Sequence, residues 1–351
     1  MKLSDLTQRA GEWLRGSGPM CEVVISSRIR LARNVTGFAF LSRCSAPDRH
    51  ALAVRLRDSI LAAELAPKVL YVDLADAPEL DRQLLVERHL ISKPLAVAEG
   101  ARGVALSADE SMAIMVNEED HLRMQVMRSG LQLDEAWEQI NAIDDALESR
   151  LDFAFHPRFG YLTACPTNVG TGLRVSVMLH LPALKLTGEI EKVFRAAKDL
   201  RLAVRGLYGE GTEATGDFYQ ISNQTSLGKS EQQIIDEFRT LIAPKIVEYE
   251  VHARRMLLNE RTTALDDRVF RAIGILRNAR LLTSEEVLFL LSHVRLGINM
   301  GRVKDIDINT VNELFLLTQT AHLQKMQNKK LEGDARRAAR ADYVRTRLGA
   351  G

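Results

Sequence analysis

The sequence predicts an α+β chain, with strands and helices intermixed at first and helices alone at the end. Three observations point that way. Short apolar runs at strand spacing recur between residues 22 and 222, and two pairs of them lie close enough to form hairpins. Amphipathic stretches of helical period separate these runs, and beyond residue 256 only the helical period remains. We therefore divide the chain into a mixed unit over 1–255 and an all-helical unit over 256–351, a length that suits two ordinary domains.

Residues 1–16 set Leu3, Leu6, Ala10, Trp13 and Leu14 at helical spacing with charges between them. That predicts a short docking helix, not the unbroken apolar core of a signal peptide. In 21–34 an apolar run enters Ser26-Ser27, then Arg28, Arg30 and Arg33 follow. In an extended segment Arg28 and Arg30 share a face, where they repel unless an anion lies between them. A solvated edge strand is the plainer alternative. Helical patterns occupy 46–66 and 80–91, the second carrying His89 near its end, where a histidine is ordinarily a cap or a surface residue. Strands are predicted at 69–74, 104–107 and 112–116. The last of these delivers Asn117-Glu118-Glu119-Asp120-His121-Leu122-Arg123. Three successive acids repel one another unless a cation, metal or substrate compensates them. A helix over 133–151 places Trp137, Ile140, Ile143, Ala146 and Leu147 on one core stripe.

Residues 161–182 are the centre of the pattern. A short strand over 161–164 meets a tight loop punctuated by Pro166, Gly170 and Gly172. A second strand then alternates, with Leu173, Val175, Val177, Leu179 and Leu181 on one face and Arg174, Ser176, Met178 and His180 on the other. Cys165 falls at a strand end beside that loop. A lone cysteine is commonly just a small buried hydrophobe, so its neighbours must carry the functional reading. A helix over 187–200 leads to a strand over 203–208 bearing Arg205. The glycine-rich loop 206–216, with Glu210, has the length of a lid, and a strand at 218–222 closes the hairpin. A long helix runs from 230 to 258. Further helices are predicted at 266–278, 284–294 and 310–324, with capping-box spacing at Thr283-Ser284-Glu285-Glu286, a C-cap at Gly297 and a basic tail over 329–348.

Composition narrows the function. The chain is 46% hydrophobic and 26% charged with a net charge of +1, so it carries no global nucleic-acid footprint. No run approaches the ~18 apolar residues of a membrane span. Three widely spaced cysteines give neither a disulfide framework nor a metal spacing, and a cytoplasmic setting is expected. Of the 47 basic residues only twelve are lysine. Codon bias accounts for an arginine surplus at the surface, but not for arginines at strand positions. Arg28, Arg30, Arg123, Arg174 and Arg205 converging from separate strands suit a polyphosphate, whose oxygens guanidinium forks match bidentately. No Walker loop or eukaryotic-type protein-kinase motif set is present. Glu118, Glu119 and Glu210 then need a cationic acceptor. A guanidinium is one, and it becomes nucleophilic only as a carboxylate takes its proton. The residues thus point to phosphoryl transfer from ATP to a guanidino nitrogen.

Four ordered stretches resemble the motifs of the phosphagen (guanidino) kinases. They are Ser26-Ser27-Arg28-Ile29-Arg30, Asn117 through Arg123, Cys165 through Arg174, and Arg205-Gly206 through Gly209-Glu210. Within that superfamily the chain most resembles the bacterial protein-arginine kinases. The phosphagen kinases proper carry a further helical domain ahead of the first motif, whereas here that motif begins at Ser26. An acceptor arginine on another protein is expected for that reason.

The resemblance implies an antiparallel sheet flanked by helices, with a C-terminal helical domain. It implies ATP binding by Ser26, Ser27, Arg28, Ile29, Arg30, His89, Arg123, Arg174, Val175, Ser176, Val177, Met178, Arg205, Gly206, Leu207, Tyr208, Gly209 and Glu210. Glu118, Glu119 and Glu210 would hold the acceptor guanidinium, with Glu119 as base and Cys165 tuning it electrostatically. Magnesium would bridge the phosphates. The resemblance further implies a homodimer, protein substrates with exposed arginines, an activator protein, Clp-type degradation of marked proteins and silencing of a heat-shock repressor. A phosphoarginine pocket would use an Arg-Asp-x-x-Arg-Ala motif. Here Gly333 replaces its first arginine while Asp334, Arg337 and Ala338 remain. Rival readings are a kinase for small guanidines, a non-catalytic phosphoarginine adaptor and a nucleic-acid binder.

Overall fold

The computed structural model describes residues 3–8, 10–206 and 215–349. Among these residues ten strands are present: β1 (Val24–Arg33), β2 (Val69–Asp73), β3 (Gly103–Ser107), β4 (Met112–Val116), β5 (Leu122–Ser129), β6 (Phe155–His156), β7 (Gly160–Tyr161), β8 (Leu173–His180), β9 (Leu202–Gly206) and β10 (Phe218–Asn223). Eight form one sheet in the order β2-β3-β4-β5-β1-β8-β10-β9, and every neighbouring pair is antiparallel. Strands β6 and β7 make a separate two-residue ribbon. The expectation of an antiparallel sheet with a helical C-terminal region holds.

Strand β1 lies inside this sheet, not at its edge. From Ser26 onward its odd positions Ser27, Ile29, Leu31 and Arg33 are buried, and Arg33 reaches Asp144. The even positions Arg28 and Arg30 belong to the opposite face. Strand β5 is absent from the sequence expectations although Leu122, Met124 and Val126 alternate. The acidic heptad before it reads as a turn and hides where the strand begins.

The helices are α1 (Ala46–Ala62), α2 (Glu79–Glu87), α3 (Lys93–Val97), α4 (Leu133–Glu148), α5 (Pro182–Thr187), α6 (Ile190–Asp199), α7 (Glu231–Glu237) and α8 (Ala243–Glu260), followed by α9 (Thr262–Asn278), α10 (Ser284–Asn299), α11 (Ile308–Leu317), α12 (Thr320–Gln327) and α13 (Gly333–Arg347). Helix α3 has no counterpart among the sequence expectations. The helix expected over 187–200 is α6, which starts later because Gly188 turns left-handed (φ 77°) and ends the separate helix α5. The long helix from 230 contains a π turn at Phe238–Ile242, which ends two residues before Pro244. Proline has no N–H to donate, and the wider turn absorbs the missing bond. Residues 310–324 also split, at Thr318-Gln319. Gly297 does not cap α10 but lies inside it. A Cβ there would sit 2.5 Å from Val269 Cγ1, so glycine lets α9 and α10 approach closely.

Buried polar links tie the C-terminal helices to the sheet. Arg295 of α10 donates to the carbonyls of Cys21 (2.8 Å) and Glu22 (2.9 Å) and to His180 Nδ1 (3.0 Å). His180 Nε2 meets Ser292 Oγ at 2.9 Å, and Ser292 donates to Asp217 at 2.8 Å. Since Arg295 can only donate, His180 must accept at Nδ1 and donate at Nε2. This chain anchors Asp217 at the start of β10.

Candidate active site

Sheet register explains how distant arginines meet. Across β1, Arg28 pairs with Ser176 of β8 and with Met127 of β5, and Arg30 pairs with Arg174 and with Gln125. Ala32 pairs with Arg123, and Gln220 of β10 pairs with Met178 of β8 and Arg205 of β9. Residues paired across a ladder share a face. One face therefore carries Arg28, Arg30, Arg123, Gln125, Arg174, Ser176, Met178, Arg205 and Gln220. Arg28, Arg30, Arg123, Arg205, Gly206 and His89 line a cavity of about 240 Å³, together with Gln125, Gln220, Ser92 and Lys93. A smaller recess of about 20 Å³ adjoins it and adds Trp13, Ser26, Ser176 and Met178.

The sheet separates the remaining candidates by parity. Ile29, Val175 and Val177 are buried in the core on the other face. Ser27 Oγ donates to the Gly130 carbonyl (2.8 Å) and accepts from Gln132 N (3.1 Å), a structural role. Leu207, Tyr208, Gly209 and Glu210 lie outside the described residues. Gln125 and Gln220 join the site without any mark in the sequence. Their signal is pairing register, which no local pattern carries.

The electrostatics of this face are those of a cation cluster suited to an anion. Burial first, then Arg123, Arg174 and Arg205, push the Arg28 guanidinium down to about 10. Burial and the charges of Arg28, Arg123 and Arg174 push Arg30 well down, against Glu118. Arg30 Nε is buried without a hydrogen-bond partner among the described residues. Arg28 is held by Gln220 and, at 3.5 Å, by Ser176 Oγ, both neutral. Burial and then Arg28 and Lys93 push His89 down to about 3, so its imidazole is neutral. Its ring stands edge-on to Trp13 with centroids 4.8 Å apart.

The acidic triplet divides into three environments. Glu118 accepts from Arg123 (2.6 Å), Ser92 Oγ (2.6 Å) and the Glu119 amide (2.9 Å). Burial pushes its carboxyl up, but Arg123 and these hydrogen bonds outweigh it and hold Glu118 below the usual carboxylate value. Asp120 is buried and accepts from Asn34 Nδ2 and the Ala164 amide, each at 2.6 Å, which pins the Cys165 loop to this one. Glu119 alone is exposed, its carboxylate without a hydrogen-bond or ion-pair partner among the described residues. Although the residue is exposed, partial desolvation of its carboxyl, then Asp120 and Glu118, raise it, against Arg123 and Arg174. His121, adjacent in sequence, is not part of the site. Its Nδ1 accepts from the Val35 amide and its Nε2 meets the Ala39 carbonyl, each at 3.0 Å.

Cys165 does not end a strand. β7 stops at Tyr161, and Cys165 instead precedes the single 3₁₀ turn Pro166–Asn168. Its Sγ lies 3.0 Å from Thr167 Oγ1. Arg174 links this side to the cation cluster: burial, Arg123 and Arg205 push its guanidinium down while Cys165 and Glu119 oppose them. The arrangement can hold a polyanion on the sheet face and a cation at the edge marked by Glu119 and Cys165. Among the described residues no group of three or more His, Cys, Asp or Glu could cage a metal, and no helix is long and apolar enough to cross a membrane. In the C-terminal region, the exposed side chains of Asp334 and Arg337 pair at 3.1 Å near the start of α13, whose first residue is Gly333.

Comparison with known proteins agrees with this chemistry. Residues 55–253 match the ATP:guanido phosphotransferase C-terminal catalytic domain, and residues 262–350 match the protein-arginine kinase McsB C-terminal domain. The protein-arginine kinase of Symbiobacterium thermophilum is 50% identical over all of both chains. That of Bacillus subtilis is 42% identical, over 99% of this chain and 96% of its own. Among solved structures, a lombricine kinase aligns with a TM-score of 0.56 at 28% identity, over 67% of this chain and 68% of its own. The duplicated taurocyamine kinase of Schistosoma mansoni gives 0.60 at 28% identity, over 72% of this chain but only 35% of that longer one. The chain belongs to the protein-arginine kinase family of ATP:guanido phosphotransferases.

Proposed function

We propose that this kinase transfers the γ-phosphoryl group of ATP to a guanidino nitrogen of arginine side chains in proteins. The observation that carries the reading is the one-sided sheet face, where Arg28, Arg30, Arg123, Arg174 and Arg205 gather with Glu119 and Cys165 at its edge. The arginines and neutral His89 bind the nucleotide and cancel charge on the transferring phosphoryl group, the effect that dominates such reactions. Glu119 faces the acceptor guanidinium and takes a proton as the nitrogen attacks. The N–P bond forms, the bond from phosphorus to the ADP oxygen breaks, and the proton ends on Glu119. Glu118 orients Arg123, Cys165 adds negative charge beside the acceptor, and Glu210 completes the grip on it.

Among the described residues the cavity lining holds no carboxylate, only the neutral oxygens of Ser92, Gln125 and Gln220, so Mg²⁺ would be held chiefly by the nucleotide phosphates, whose charge it would lower. We further assign residues 1–255 to catalysis and 256–351 to dimerisation and phosphoarginine binding through Asp334, Arg337 and Ala338. A cytoplasmic site of action, an activator protein, hand-over of marked proteins to a Clp-type protease and silencing of a heat-shock repressor follow from the same family reading.

The test offers labelled ATP with a loosely folded arginine-rich protein and with free arginine. Acid-labile label on the protein alone is the expected result. Label on free arginine alone would move the enzyme to small guanidines, and label on neither would favour an adaptor. Glu119→Gln should cut transfer by roughly 10²–10⁴-fold, the usual range for a general base, with ADP affinity unchanged. A collapse of ADP affinity with persisting transfer would reverse these roles, making Glu119 a nucleotide contact.

A further inference from the structure

Behind the nucleotide cavity lies a sealed ionic cluster that the proposed reaction does not use. Glu87, Arg88, Glu110 and His322 are all buried, Arg88 and His322 completely. Arg88 donates through Nε and Nη2 to the two oxygens of Glu110 at 2.6 and 2.7 Å. His322 of α12 touches both neighbouring residues of α2's end: Nδ1 lies 2.8 Å from Glu87 Oε2, and Nε2 lies 3.0 Å from Arg88 Nη1. Arginine has no acceptor, so Nε2 accepts and Nδ1 carries the hydrogen that Glu87 receives. The first amides of α12 add to this grip. Ala321 N donates to both Glu87 oxygens (2.8 and 3.1 Å) and His322 N to one (3.2 Å).

The next residue in the chain is His89, which lines both cavities. Its backbone is left-handed, with φ 58°. A non-glycine residue keeps such a conformation only where its surroundings impose it. Here they do so from two sides. Arg88 is clamped immediately before it, and its own carbonyl accepts from Gln125 Nε2 at 2.7 Å.

We infer that His322 is a positioning residue for the nucleotide subsite, holding Glu87 and Arg88 so that His89 is presented to the cavity. The C-terminal helices thereby set nucleotide affinity without touching the nucleotide. This rests on the reading of His89 as a nucleotide contact. A residue that acts only through another shows a non-additive double mutant, and that is the test. ADP affinity is measured by titration calorimetry on the full chain for wild type, His322→Ala, His89→Ala and the double variant, with the melting temperature alongside. His322→Ala should weaken ADP binding about fivefold in wild type and hardly at all in the His89→Ala background. His322→Gln, which can still accept from Arg88 and donate to Glu87, should recover most of the loss. If His322→Ala does not fold, Glu87→Gln is read in the same cycle. Equal losses in both backgrounds, or a lowered melting temperature with unchanged affinity, would overturn the inference alone. Normal ADP binding by His89→Ala would remove the nucleotide role of His89, and the inference with it.

Discussion

Two sets of arginines share this fold and differ in what surrounds them. In the scaffold, Arg33 makes two bonds to Asp144 (3.1 and 2.6 Å), two more to carbonyls, and lies 3.5 Å from the Tyr161 ring centre. Arg88 has Glu110 and Arg254 has Glu250. On the cavity face, Arg28 has only a neutral amide and a hydroxyl, and Arg30 Nε has nothing among the described residues. Among the described residues five guanidiniums there face two carboxylates, and one of those, Glu118, is committed to Arg123. Strand β1 carries both kinds, Arg30 and Arg33, three residues apart and on opposite faces. A buried arginine is therefore no mark of function in itself. A crowd of arginines without carboxylates is, because folding has left repulsion in place that a polyanion relieves.

The largest expected effect breaks the comparison open within that one strand. Arg33→Met strands the Asp144 carboxylate and should cost about 3–5 kcal/mol of stability. Arg30→Met removes a repelling charge, so the nucleotide-free protein should melt no lower than wild type. Transfer should nonetheless fall by about 10²–10³-fold, the loss typical of one transition-state donor. Paired urea melts and rate measurements check both. If Arg30→Met destabilised the empty protein as much as Arg33→Met, the distinction between the two sets would be lost.

The same strand shows what is legible in the sequence and what is not. Arg28 and Arg30, two apart in an extended run, fall on one face from spacing alone. Their meeting with Arg174 and Arg123 depends on the Arg30↔Arg174 and Ala32↔Arg123 register, which is non-local. Gln220 has no local signal for that reason, and neither does the centrality of β1. The acidic triplet is recognisable as a site, but Glu118, Glu119 and Asp120 look alike in sequence. Only the positions of Arg123, Ser92, Asn34 and Ala164 separate a clamp, a candidate base and a loop pin. The left-handed turn at Gly188 and the π turn ahead of Pro244 have local cues that the apolar periodicity overrides. Gly297 is misplaced by sequence reasoning because a helix–helix contact and a cap require the same residue.

A middle-sized effect concerns protons. Glu119 is held above the ordinary glutamate value of 4.5, first by partial desolvation and then by Asp120 and Glu118. As a base it must be ionised, so kcat/KM should fall with falling pH through that raised value, on an acid limb above 4.5. The stability sign is opposite. Between 4.5 and the raised value the folded state binds more protons than the unfolded chain, so this contribution is full below 4.5 and is lost as pH rises. The site thus gains activity over the range in which it loses a little stability. Glu118, held low, keeps Arg123 anchored throughout. A carboxyl-resolved magnetic resonance titration placing Glu119 at or below 4.5 would remove it as the tuned base.

The smallest expected effect tests whether the acceptor side works by charge or by bond formation. Cys165 is poised by its neighbours: Asp120 fixes the Ala164 amide, Thr163 Oγ1 donates to the Cys165 carbonyl at 2.8 Å, and Thr167 Oγ1 lies 3.0 Å from the sulfur. Were the thiol an obligatory nucleophile, Cys165→Ala would abolish transfer and wild type would yield a phosphocysteine. In the proposed direct transfer the sulfur would act only electrostatically, near Arg174 and the acceptor. Cys165→Ala should then cost about tenfold, or ~1.4 kcal/mol of transition-state stabilisation, well short of the Glu119→Gln loss. Cys165→Ser restores a polar group but not the charge, so it should fall near alanine. A serine variant as active as wild type would show that polarity suffices, and the acceptor edge would then depend on its carboxylates alone.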